Sequence, residues 1–237
     1  MEKAVSIFPV LPGQDARTVA AVFDGRSEEY RQSRQQQGVS MERAFEQETP
    51  MGTFVVAYVE SDGPFGDAIV GMASSDLEID RAFADKLREV HGFDPSGPPP
   101  GDPPELVGEW EDETVTDRRP GLAFAAPILP DGADAVRQFG KECYEGRRDE
   151  LAASRRAMGV TREAVMLNHT PMGDIVCVYI EGDDPVEGNR RFAASRSDFD
   201  VWMKTRARDI FPPQIDFNEP VPPVAMIFDS EATLGSG

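Results

Sequence analysis

The sequence predicts an α+β fold of two tandem ferredoxin-like βαββαβ repeats, packed as an intrachain α+β barrel. Three observations carry this reading. The segment 38–64, GVSMERAFEQETPMGTFVVAYVESDGP, returns at a constant offset as 159–185, GVTREAVMLNHTPMGDIVCVYIEGDDP, with 12 of 27 positions identical and no gap. One unit is therefore present twice. Each copy then gives the same order of signals, β-α-β-β-α-β. Finally, the third strand of each copy is apolar at both parities, so each sheet needs a cover on both faces.

The elements follow in order. Ala4–Val10 is a short apolar run closed by Pro12-Gly13, which reads as a strand and a turn. Val19, Val22, Phe23 and Tyr30 recur at helical spacing, predicting one long helix over 15–37 that stops at Gly38. In the second copy, 122–129 is the strand, and Val136, Phe139 and Cys143 mark the helix ending near Gly159. Thr49-Pro50-Met51-Gly52 and Thr170-Pro171-Met172-Gly173 are hairpin turns by composition. The arms in the first copy are 42–48 and 53–60. A four-residue turn in the second copy would set His169 opposite Asp174. A second helix carries Phe83, Leu87 and Val90 in one copy, and Phe199, Trp202, Met203 and Ile210 in the other. A last strand near 105–111 or 221–228 closes each unit.

This places the first repeat at 1–115 and the second at 116–237. The Pro-rich stretch 95–104, PSGPPPGDPP, is a loop inside the first unit and should be extended and mobile. The linker falls nearer 112–120. The runs 54–59 (FVVAYV) and 175–180 (IVCVYI) show no polar face. Helices of the same unit cover one face, and the sheet of the other copy is the natural cover for the second.

This organisation resembles the dimeric α+β barrel superfamily, with the dimer fused into one chain. The segments Glu60-Ser61-Asp62-Gly63-Pro64 and Glu181-Gly182-Asp183-Asp184-Pro185 are similar to those of small uncharacterised bacterial barrel proteins. The superfamily includes antibiotic-biosynthesis monooxygenases, muconolactone-isomerase-like proteins, haem-degrading enzymes and stress-responsive barrel proteins. The resemblance implies a pocket between a sheet and its helices. It also implies a monooxygenase, isomerase or cyclase of bacterial secondary metabolism that works without a nucleotide cofactor. Fold alone assigns no activity.

Charge and composition narrow the partners. The 237 residues carry a net charge of −19, which repels nucleic acid and anionic membranes. The same charge suits solubility or an acidic docking face for a basic protein. That second use defines the rival reading, a non-catalytic barrel acting through protein–protein interaction. Cys143 and Cys177 form no metal or redox motif and read as buried thiols of a reducing compartment. No secretory leader pattern opens the chain and no apolar run is long enough to span a bilayer. A cytoplasmic monomer with pseudo-twofold symmetry is the expectation.

The candidate catalytic residues are His169 and Tyr179. His169 replaces Glu48 of the first copy, and a carboxylate at Asp174 would orient its ring as a base. The competing reading is an exposed hairpin-end histidine. Candidate ligand-binding residues are Tyr58, Glu48 and Arg155. Tyr58 and Tyr179 match on the third strand and share a face with Glu60 and Glu181, where core packing is the alternative. Arg155 matches Arg34, and Arg147 matches Arg26. Such pairs invite anion binding, or else offset a helix dipole near the end of a long helix. His91 ends a helix before Gly92, suited to the dipole or, by resemblance alone, to haem. Asp62 and Asp183 read as caps of the following helix, and Trp110 and Trp202 as packing residues. No phosphate loop, GxGxxG or GxSxG occurs, and no His/Cys cluster sits at metal spacing. No cofactor and no metal are expected.

Overall fold

The computed structural model describes residues 1–97 and 102–235. The chain runs through β1 (Glu2–Pro9), α1 (Arg17–Ala20), α2 (Ser27–Gln36), β2 (Val39–Thr49), β3 (Gly52–Ser61), α3 (Phe65–Ala73), α4 (Glu78–His91) and β4 (Glu105–Glu111). It then repeats the series as β5 (Gly121–Pro127), α5 (Ala133–Lys141), α6 (Arg148–Met158), β6 (Val160–Thr170), β7 (Gly173–Gly182), α7 (Pro185–Ala194), α8 (Asp198–Ala207) and β8 (Val224–Asp229). A short α9 (Ser230–Gly235) follows. Two βαββαβ series are thus present, and their eight strands form two four-stranded antiparallel sheets.

The fourth strands are exchanged. One sheet has the order β1-β3-β2-β8 and the other β4-β6-β7-β5. The compact units are accordingly Met1–Pro103 with Pro223–Gly237, and Pro104–Pro222. This differs from a division at 115/116, because residues 104–115 lie in the second unit and 223–237 return to the first. The stretch 95–104 therefore ends at a unit boundary, and its part 98–101 lies outside the described residues. Residues 112–120 are a loop of the second unit. Asp112 N–H donates to Thr161 O at 2.9 Å and Gly182 N–H to Pro120 O at 3.1 Å, tying the loop to β6 and β7. The backbone groups of the two receiving edges, β2 and β6, are alike, so the alternation of a short strand alone does not reveal the exchange.

The long first helix is broken in both units. In the first, a 3-10 turn at Ala21–Phe23 and Gly25 at φ 69° separate α1 from α2. Glycine takes that left-handed φ without strain. In the second, a π turn at Glu142–Gly146 leads into α6. The second crossover also holds two helices rather than one, since α3 and α7 precede α4 and α8. The signal for α7 was legible in part. Asp184 accepts from Glu187 N–H at 2.9 Å as the N-cap, with Pro185 at the first turn. The cap is therefore Asp184 and not Asp183, which pairs with Arg119 at 3.3 Å. Asp62 caps nothing with its side chain, and Pro64 holds the N-cap place of α3.

Both parities of β3 and β7 are buried along 54–60 and 175–181, apart from the half-buried Ala57 and Val178. The hairpins close at Gly52 and Gly173, which take φ 124° and 112°. Thr49 and Thr170 fix the tips, each hydroxyl accepting from the methionine N–H two residues on at 3.1 Å. Cys143 and Cys177 are free and buried. Burial pushes the Cys143 thiol up to about 12 and raises Cys177 further. No described helix is long and apolar enough to cross a membrane.

Candidate functional site

The first unit contains a chamber between its sheet and its helices, open to solvent at its mouth. Its floor is built by alternation. Ala44 on β2 and Ala57 on β3 face each other across the ladder, and Val55 and Val59 flank Ala57 at the same parity. The roof comes from Val19, Phe23, Phe83 and Leu87 on the helical side. The walls are almost wholly apolar, as in small-molecule sites generally.

Small residues open this space, and the second unit shows why. The cross-strand pair Ala44–Ala57 corresponds to Val165–Val178, and Glu46–Val55 corresponds to Leu167–Val176. In the second unit these four pack into one cluster with Ile210 and Phe211. Branched side chains thus occupy what two alanines leave empty in the first.

The polar residues along the lining are His91 from α4 and Glu42, Arg43 and Tyr58 from the sheet, with the paired Arg43 and Tyr58 at the opposite parity. His91 is the last residue of α4, placed by the left-handed Gly92 that ends the helix at φ 65°. Its Nδ1–H donates to the Pro9 carbonyl at 2.8 Å, which leaves Nε2 as an acceptor. The ring packs 5.8 Å from Phe8. Burial, the larger influence, lowers the His91 pKa against the opposing Pro9 bond, so the neutral ring is favoured. The equivalent position in the second unit is Phe211, which follows Ile210 as His91 follows Val90. Leu11 N–H bonds Val90 O and Leu129 N–H bonds Ile210 O, both at 2.8 Å.

Glu42 is the other polar wall. Its Oε2 accepts from Tyr30 Oη at 2.6 Å and also from Arg34 Nε. Arg34 is stacked among Phe23, Tyr30 and Phe83, with its guanidinium carbon 5.0–5.2 Å from each ring centroid. Burial alone would lower its pKa, but the Glu42 charge and its other partners hold it above the ordinary value. Asp80, fully buried, accepts from Ser33 Oγ at 2.5 Å and lies 3.6 Å from Arg34.

The second unit repeats this cluster with one exchange. Arg155 pairs with Glu163 at 2.6 Å, and Ser154 donates to Asp200 at 2.7 Å. The phenol comes from Tyr144, which donates to Glu163. By the repeat offset Tyr144 matches Phe23, and Leu151 matches Tyr30. The hydroxyl has moved one helix segment along the chain and still meets the same carboxylate.

The sequence candidates are not gathered at this chamber. His169 faces Asp174 in the ladder and bonds it through Nδ1 at 2.7 Å, with Glu105 4.0 Å from Nε2. It does not line the chamber. Glu48, its counterpart, is exposed at the end of β2 opposite Thr53. Tyr179 is buried and donates to Glu181 at 2.7 Å, where Arg118 and Arg162 also reach the carboxylate at 3.1 and 2.8 Å. Tyr58 borders the chamber, but alternation puts its side chain on the opposite parity, where it donates to Glu60. Arg155 is held in the buried pair with Glu163. Arg26 and Arg147 sit at the starts of α2 and α6, not in last turns, paired with Glu29 and Glu150. Among the described residues no group of three or more His, Cys, Asp or Glu is placed to hold a metal ion.

No family model and no curated protein matches the chain. The chain is similar to a solved structure described as an anthrone oxidase-like protein, at 10% identity and a TM-score of 0.49, covering 94% of this chain and 90% of that one.

Proposed function

We propose that the protein binds a small, mainly apolar molecule in the chamber of its first unit, with His91 fixing the ligand by a hydrogen bond. The single observation that carries this is the difference between the two units. The second copy packs Val165, Leu167, Val176 and Val178 into one cluster where the first leaves a chamber over Ala44 and Ala57, and the first places His91 where the second has Phe211. An open apolar space costs stability, and an otherwise apolar wall gains nothing in packing from an imidazole. Both features suit a ligand with a proton donor, such as a hydroxyl, that meets Nε2.

The neutral imidazole can also act as a base toward that donor, so a cofactor-independent enzyme of monooxygenase, isomerase or cyclase type is the catalytic form of this reading. The second unit then serves as a packed companion. Native mass spectrometry of the full chain with biphenyl-4-ol tests the proposal. One bound equivalent is expected, lost in the double variant Ala44→Val/Ala57→Val, which installs the side chains of the second unit. Equal binding to both proteins would refute it.

A further inference from the structure

We infer that the chamber selects molecules with a hydrogen-bond donor at each end of an apolar body and no negative charge. This rests on the chamber being the ligand site. Both polar walls present acceptors. His91 gives Nε2, because Nδ1–H is committed to the Pro9 carbonyl. Glu42 gives Oε1, because Tyr30 and Arg34 both use Oε2 and no donor among the described residues reaches the other oxygen.

The two acceptors lie at opposite ends. His91 packs beside Phe8, whose ladder partner is Val55, whereas the ladder partner of Glu42 is Val59. Four residues of β3 separate those points, about 13 Å along the strand. Between them the floor is Ala44 and Ala57 and the roof is Val19 and Phe83, all without a donor or acceptor in the side chain. A ligand with one donor satisfies one end and leaves the other acceptor without a partner in an apolar site. A ligand with two satisfies both.

Charge sets the second half of the selection. An anionic group at the Glu42 end meets a carboxylate directly. Two arginines lie nearest: Arg43 borders the chamber but is paired with Asp229 and Glu231, and Arg34 is buried, does not line the chamber, and is paired with Glu42. At the other end burial favours neutral His91, so no positive charge greets an anion there either.

Isothermal titration of the full chain with biphenyl-4-ol, biphenyl-4,4′-diol and biphenyl-4,4′-dicarboxylate separates the outcomes. The diol should bind roughly tenfold tighter than the mono-ol, the effect of one added hydrogen bond at a buried acceptor. The dicarboxylate should not bind. His91→Phe, which takes the side chain of the second unit, should bring the diol down to about the mono-ol affinity of the unaltered protein. Equal affinities for diol and mono-ol, or tight dicarboxylate binding, would overturn this inference and leave the chamber as a ligand site. Failure of all three probes to bind would remove the chamber reading and this inference together.

Discussion

The two units share one buried polar cluster and part in the layer beneath it, and the difference teaches what each side chain is for. Both keep a buried arginine on a glutamate, a serine on an aspartate, and a tyrosine hydroxyl on the same glutamate. The tyrosine sits at position 30 in one and 144 in the other, yet both reach the carboxylate. The preserved quantity is therefore the donor at the glutamate, not the residue at a sequence position. The layer beneath is where they part. Ala44 and Ala57 leave a chamber that Val165 and Val178 fill.

The largest effect should come from the shared cluster. Arg155→Ala strands Glu163 with Tyr144 in a buried site and should cost about 3–5 kcal/mol. Arg34→Ala should cost less, because the Glu42 side chain keeps 17% of its exposure and Glu163 only 6%. Chemical unfolding followed by tryptophan fluorescence reads the first variant directly, since Trp110 and Trp202 both lie in the second unit. Circular dichroism reads the other. Equal losses would mean that burial does not distinguish the units.

The exchange of tyrosine positions sharpens the comparison at a smaller scale. Tyr30→Leu should destabilise by about 1–2 kcal/mol through the lost hydrogen bond to Glu42. Adding Phe23→Tyr copies the arrangement of the second unit and should recover most of that loss. A double-mutant cycle measures the coupling. Strictly additive losses would show that the donor cannot move in the first unit.

The extent of sequence legibility follows from the same residues. The repeat exposed the unit, the element order, both hairpins and the His169–Asp174 pairing, because all are local or set by a two-residue period. Helix breaks at Gly25 and at the π turn, and the exchange of β4 and β8, depend on tertiary choices that periodicity does not carry. The chamber was half legible. Comparing matching positions singled out His169 against Glu48, but the same comparison at 44 and 57 against 165 and 178 marks the hollow unit. His91 read as a helix-end residue, and it is one. Only the fold shows that Pro9 takes Nδ1–H and that the rest of the ring borders an apolar space.

A smaller effect is expected from pH. The pKa of His91 is depressed in the folded state, so between that value and the ordinary one near 6.5 the unfolded chain binds more protons. Its contribution is complete above about pH 7 and falls as pH drops through that window. At pH 5 the wild type should lose more stability relative to pH 7 than His91→Phe, by about 1.4 kcal/mol for each unit of depression that falls between the ordinary value and pH 5. Circular dichroism melts at the two pH values check this. Identical losses would place His91 outside the buried environment described.

The central claim is that one unit is hollow for a ligand and the other is not. Titration of N-phenyl-1-naphthylamine, a neutral probe that brightens in apolar surroundings, tests it most directly. The account predicts one saturable site in the wild type and at least tenfold weaker binding in Ala44→Val/Ala57→Val, with the fold intact by circular dichroism. The same saturable binding in both proteins would contradict it.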